Sequence, residues 1–252
     1  MLAAERRDLL MERLRRDGKL IARDLAAELG LSEASVRRDL RELAAAGLCQ
    51  RVYGGALPAS PAVGSHLKRT ELSPESKRRV GARAAYLITP GSTVILDGDT
   101  TGLAVAEALR PDLEATIITN SPLVAAALLG HPFVRVFILG GVLDKHGAIT
   151  TGAAAAEAAS SISADLYLLV PTGIHEKAGL TSPDPEEAAM RRMLIRRAAD
   201  TYVLGSLDKI GTAAPYRVAD ASEVAGIITD APSYHTTIQQ LRQQGVNIIP
   251  AT

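Results

Sequence analysis

Residues 25–56 read LAAELGLSEASVRRDLRELAAAGLCQRVYGGA. The first part, residues 22–29, predicts a short helix with Leu25 and Leu29 toward a core, and Gly30 supplies a turn. Ser32 then caps a second helix by accepting an N–H bond from its first turn. In that helix Val36, Leu40 and Leu43 share one face, while Ser35, Arg38 and Arg41 lie elsewhere and can face solvent or DNA. Gly47 ends it. Residues 48–53 read as a short strand and Gly54-Gly55 as a turn, so a wing follows the second helix. Two helices across a glycine turn, the second basic, are a plan for entering a DNA major groove. An ordinary charged helix face would explain the arginines alone, but not the helix–turn–helix before them or the wing after them.

A further helix is expected over residues 3–16, with Leu10 and Leu14 at i, i+4 spacing and Gly18 after its end. Residues 1–56 thus form a winged helix-turn-helix head. Residues 57–74, LPASPAVGSHLKRTELSP, hold three prolines and lack an apolar period, and they read as a linker. Residues 75–252 carry short β-rich runs: TVIL (93–96), TIIT (116–119), VRVFIL (134–139), LYLLV (166–170), TYVL (201–204), AGIIT (225–229) and VNII (246–249). Several are apolar throughout, as in parallel strands covered on both faces. Helical stretches alternate with them at 102–109, 122–129, 185–199 and 234–244. The fold class expected for the body is a Rossmann-like parallel α/β domain.

Composition narrows the function. Lys plus Arg number 28 and Asp plus Glu 28, so any DNA affinity rests on a local patch rather than on total charge. Residues 32–51 carry Arg37, Arg38, Arg41 and Arg51 against Glu33, Asp39 and Glu42, a small excess. No apolar run approaches the ~18 residues of a membrane span, and the charged start MLAAERRDLLMERLRR lacks the apolar core of a signal peptide. One cysteine, Cys49, rules out an internal disulfide and a multi-cysteine zinc site and suits the cytoplasm. The five histidines are scattered without ligand spacing, so no metal and no cofactor is expected.

The polar residues collect where the expected strands end: DGDTTG (97–102), TNSP (119–122), GG (140–141), PTG (171–173) and GSLDK (205–209). In open α/β sheets ligands bind beyond the carboxyl ends of the strands. Thr100 and Thr101 open a helix whose free N–H groups favour an anion such as phosphate. These turns suit a small, polyhydroxylated, phosphorylated ligand. By sequence alone Lys209 reads as a solvated lysine, and Arg191, Arg192, Arg196 and Arg197 as a solvated helix face with a Glu187–Arg191 pair.

Residues 25–56, with the SxxxVRRDL core and the RVYGGA end, resemble the DeoR family of bacterial transcriptional regulators. The body is similar to that family's sensor domain through LDGDTTG, IITNSP, ILGGVL, TGAAAAEA, EEAAMRRMLIRRA, LDKIG and IITD. The resemblance covers nearly the whole chain. It implies a body related to ribose-5-phosphate isomerase and glucosamine-6-phosphate deaminase. It also implies repression of a sugar or polyol operon, double-stranded operator DNA as partner, and a sugar-phosphate-like effector. The DNA contacts would come from Ser32, Ser35, Arg37, Arg38, Arg41, Arg51 and Tyr53. The effector would be lined by Asp97, Gly98, Asp99, Thr100, Thr101, Thr119, Asn120, Ser121, Gly140, Gly141, Gly173 and Lys209. A homodimer or homotetramer is expected, because one helix reads few bases. The alternative is an isomerase- or deaminase-like enzyme carrying a DNA-binding head.

Two departures stand out. The family pattern D-x-G-T-T reads Asp97-Gly98-Asp99-Thr100-Thr101 here. An aspartate of the pattern is Ser206, and the serine beside the lysine is Asp208. A carboxylate at position 99 repels phosphate unless it points away or pairs with a base. An effector that is another anion or an unphosphorylated metabolite therefore stays open.

Overall fold

The computed structural model describes residues 3–252; Met1 and Leu2, the start of the expected head, lie outside them. The head consists of α1 (Ala3–Asp17), β1 (Leu20–Ile21), α2 (Ala22–Leu29), α3 (Glu33–Ala45), β2 (Cys49–Val52) and β3 (Gly55–Pro58). Leu10, Leu14, Leu25, Val36, Leu40, Leu43 and Cys49 bury together as its core, as their helical spacing requires. Leu29, expected in that core, is only half-buried; Ala26 packs there instead. The wing is a three-stranded antiparallel sheet in the order β1-β3-β2. Its first strand is a two-residue Leu20–Ile21 segment with no sequence signature.

The segment after the wing does not run free. Ser60 donates its hydroxyl to the Thr172 carbonyl at 2.6 Å and its amide to Ala213, and the Ala213 amide bonds back to Pro58. A short helix α4 (His66–Glu71) follows, then α5 (Pro74–Ala85). Proline and small residues here mark turns held by backbone bonds to the body.

The body continues β4 (Thr93–Leu96), α6 (Thr100–Glu107), β5 (Ala115–Thr119), α7 (Pro122–Ala127), β6 (Val134–Ile138), β7 (Val142–Asp144), β8 (Ile149–Thr151), α8 (Ala153–Ser160) and β9 (Ala164–Leu169). It closes with β10 (Gly173–His175), β11 (Gly179–Ser182), α9 (Pro185–Ile195), β12 (Ala198–Gly205), β13 (Tyr216–Ala219), β14 (Gly226–Thr229), α10 (Thr236–Gln243) and β15 (Ile248–Pro250). Seven strands form one sheet in the order β15-β14-β12-β9-β4-β5-β6, every neighbouring pair parallel. They are the seven apolar runs of the sequence, and two apolar clusters cover them. The chain winds one way from β4 to β6 and the other way from β9 to β15. The order therefore reverses between β4 and β9, and the crevice above a reversal is where such sheets bind ligands.

Two small antiparallel sheets stand beside the parallel one: the β7–β8 hairpin and β10-β11-β13. Both are built of three- or four-residue runs, too short for a period-2 pattern to be read.

Helices α5 and α6 touch through Gly81, where a Cβ would lie 2.7 Å from the Ala104 backbone. Gly81→Ala therefore forces the two helices apart and is expected to cost ~1–3 kcal/mol, read as a lower urea midpoint at unchanged slope.

Candidate functional site: a basic head face and a buried ion cluster at the strand ends

On the head, Ser32 caps α3, accepting from the Ser35 amide at 3.2 Å. Arg37, Arg38, Arg41, Arg51 and Tyr53 are exposed, and Ser35 is half-buried. Tyr53 and Gly54 form the wing tip, and a groove lined by Glu33, Arg37, Arg41 and Arg51 runs between α3 and the wing. The acidic residues that offset the arginines in the sequence are largely turned away. Asp39 is buried and grips Arg6 of α1 through both carboxylate oxygens. Glu42 bonds Arg7 of α1 at 2.8 Å. Among the described residues, only Arg37 is paired on the face itself, with Glu33 at 2.6 Å. The exposed charge of the face is thus more positive than the residue count from 32 to 51 suggests.

At the strand ends two ion clusters lie side by side. Asp97 leaves β4 and is buried; its Oδ2 accepts the Val170 amide at 3.0 Å and Arg191 Nε at 2.9 Å. The same guanidinium donates to Glu187 Oε2 at 2.9 Å and to Ser182 Oγ at 2.6 Å. Burial pushes the Asp97 carboxyl up despite Arg191 beside it. Burial opposes the Arg191 charge too, but Asp97 and Glu187 overcome it and hold the proton more firmly than usual. Arg191 is therefore no part of a solvated helix face. The Glu187–Arg191 pair forms as spaced, but inside the protein. Arg196 and Arg197 are exposed, and Arg192 is half-buried.

The second cluster centres on Asp99. Its Oδ1 accepts the Thr100 amide at 2.6 Å, the Thr100 hydroxyl at 3.2 Å and Arg69 Nε at 3.0 Å; its Oδ2 accepts Lys209 Nζ at 2.8 Å. Burial opposes this charge, yet Lys209 and Arg69 outweigh it and hold the carboxyl well below the usual carboxylate range. Lys209 is among the most deeply buried side chains, so it is not a surface lysine. The backbone of Asp99 has φ 146° and ψ 170°, a region that glycine alone visits freely, at a cost of about 1–3 kcal/mol. Arg69 comes from α4, a residue type and position that the proline-rich reading of 57–74 hid. It also donates to the Gly64 carbonyl at 2.8 Å and the Gly147 carbonyl at 3.2 Å. Lys77 is buried beneath it and donates to the Arg69 carbonyl. Burial holds the Lys77 pKa below the usual lysine range.

Around these carboxylates, Thr100, Thr101, Thr119, Asn120 and Ser121 are all buried. Thr119 Oγ1 accepts the Ser121 amide, and Ser121 Oγ accepts the Val124 amide at the start of α7. Gly98 leaves room for Ile149 and Ser121, because a Cβ there would lie 2.4 Å from an Ile149 methyl and 3.0 Å from the Ser121 Cβ. Gly140 is exposed, Gly141 faces Thr151, and Gly173 faces Thr212 and Thr181. These three glycines shape the turns into the small sheets, and their nearest contacts are not with Asp99. Thr101 Oγ1, Asn120 Oδ1 and Ser206 Oγ are buried without a hydrogen-bond partner among the described residues. Beside the clusters lies a cavity of about 530 Å³, bordered by Arg69, Asp144, His146, Asp184, Glu186 and Glu187 among others. Among the described residues no group of His, Cys, Asp and Glu is arranged to hold a metal, and no helix is long and apolar enough to cross a membrane.

Comparison with known proteins agrees with this layout. The DeoR-like helix-turn-helix domain matches residues 6–61 and the DeoR C-terminal sensor domain residues 72–231. The chain belongs to the DeoR family. It is 30% identical to a putative aga operon transcriptional repressor of Escherichia coli O157:H7, over 98% of this chain and 93% of that protein. It is 28% identical to the glycerol-3-phosphate regulon repressor of Escherichia coli K12, over 98% and 99% of the two chains. Identity to the transcriptional repressor GlcR of Bacillus subtilis is 29%, over 99% and 96%. These relatives are regulators along the length they share with this DeoR-family chain. The chain is accordingly a DNA-binding transcriptional regulator, and the isomerase or deaminase alternative falls. Among solved structures, ribose 5-phosphate isomerase A from Methanocaldococcus jannaschii covers 55% of the chain at 13% identity with a TM-score of 0.41. The eIF2B delta subunit from Chaetomium thermophilum covers 64% at 15% identity and 0.44.

The Asp97–Arg191–Glu187 triad predicts a stability effect. Arg191→Ala leaves two buried carboxylates without their cation and is expected to cost ~3–5 kcal/mol. The check is chemical denaturation followed by far-ultraviolet circular dichroism.

Proposed function

We propose that this DeoR-family regulator is a sequence-specific repressor of a sugar or polyol operon, controlled by a small effector, a sugar phosphate or a related metabolite, at the strand ends of its body. One observation carries the reading: the segment leaving the wing inserts Arg69 into the strand-end cluster and bonds Asp99. A ligand that alters the environment of Arg69 acts on the chain that holds the head. It shifts the head only by the difference in its affinity for the two arrangements.

In this reading α3 lies in the major groove, with Ser35, Arg38 and Arg41 toward base edges and Ser32, Arg37, Arg51 and Tyr53 toward the sugar-phosphate backbone. Arg38→Ala is expected to weaken operator binding by ~1–3 kcal/mol if it reads a base. Fluorescence anisotropy against operator and scrambled duplexes separates this from a phosphate contact, which weakens both alike. Operator affinity unchanged by Arg38→Ala and by Arg41→Ala overturns this orientation of α3.

Two copies on repeated half-sites fit the size of one head. Strand β6 supports this, because it is an edge of the parallel sheet and carries exposed Phe137 and Ile138, with Phe133, Val142 and Leu143 exposed beside it. An open apolar edge strand is a ready template for a second copy. Phe137→Lys is expected to shift the chain toward monomer in light-scattering chromatography while the melting temperature of the body stays within a few degrees.

A further inference from the structure

The amino end of α6 already holds an anion. Asp99 reaches over the first turn and takes the Thr100 amide and hydroxyl, Arg69 and Lys209, four donors on one carboxylate. These are the groups a bound phosphate would use: a helix amino end, a guanidinium and an ammonium. The chain accepts an unfavourable backbone conformation at Asp99, φ 146°, to keep the carboxylate there. The adjoining cavity is bordered by Asp144, Asp184, Glu186 and Glu187 together with Arg69 and His146, an acidic excess that disfavours a second anion. Thr101 Oγ1, Asn120 Oδ1 and Ser206 Oγ, on the turns around the seat, are buried and unpartnered among the described residues and lie outside the lining of that cavity. A cavity of about 530 Å³ falls within the range that takes a small molecule.

We propose that Asp99 is a resident anion: its carboxylate fills the seat at the amino end of α6, so that seat refuses a phosphate group. This rests on the reading of the strand ends as the effector site and names a chemical group that the site excludes.

The experiment uses the full chain and inorganic phosphate. Isothermal titration and phosphorus-31 line broadening are run on the native chain, Asp99→Gly and Asp99→Asn. The native chain is expected to show no saturable phosphate binding. Asp99→Gly frees the seat and suits the backbone, so phosphate affinity rises by at least about tenfold. Asp99→Asn keeps the side-chain volume, removes the charge and gives a smaller rise. It also supplies the comparison should the glycine variant fail to fold. Saturable phosphate binding by the native chain, as tight as in the variants, overturns the proposal; so does the absence of any gain in both folded variants. Operator affinity of the native chain is measured alongside. A chain that binds phosphate and still binds operator loses this proposal and keeps the regulator reading. A chain without operator affinity loses the reading of the head, whatever phosphate does.

Discussion

The contact on which the rest depends is the buried carboxylate of Asp99, held between Arg69 and Lys209. Its partners come from three separate parts of the chain: the end of β4, the segment leaving the wing and the turn after β12. A buried charge is tolerated only when it is paired and hydrogen-bonded. Each of the three segments is therefore tied to the position of the other two. That is why residues 59–73, short of apolar side chains, still have a defined path over the body.

The reversal of strand order between β4 and β9 places a second charged group at the same level. Asp97 bonds the backbone of Val170 directly across that gap. Arg191 then links Asp97 to Glu187 and Ser182, joining the parallel sheet to α9 and to the small sheet that β11 belongs to. The two clusters differ in what they can do. The Asp97 triad is saturated by its own partners and reads as architecture. Both border the cavity, the triad through Glu187 and the Asp99 cluster through Arg69, but the Asp99 cluster takes Arg69 from the segment leaving the wing.

The head follows the same logic in reverse. DNA binding needs charge left unpaired, and α1 provides for that by taking Asp39 and Glu42 from α3 through Arg6 and Arg7. The arginines of α3 and the wing then face outward with few internal competitors. A formally neutral chain can present a basic face in this way because the sign of a surface depends on which charges are paired, not on their sum.

Much of this was legible in the residues alone. The helix–turn–helix, the wing and all seven parallel strands follow from spacing and from apolar runs, because helix and strand periods are local properties of a chain. The motifs at 25–56 and 97–102 also carried the family. The hairpin β7–β8, the sheet β10-β11-β13 and the strand β1 were not legible, since their runs are too short to show a period. The partners of Asp99, Asp97 and Asp39 were decided only by the tertiary structure. Arg69 lies 30 residues from Asp99, and Lys209 lies 110 residues from it. Nothing local distinguishes a lysine or arginine that will be buried against a carboxylate from one that will sit in water. That choice is made when the strands close into one sheet and bring distant charges to the same end, where removal from solvent forces them to pair.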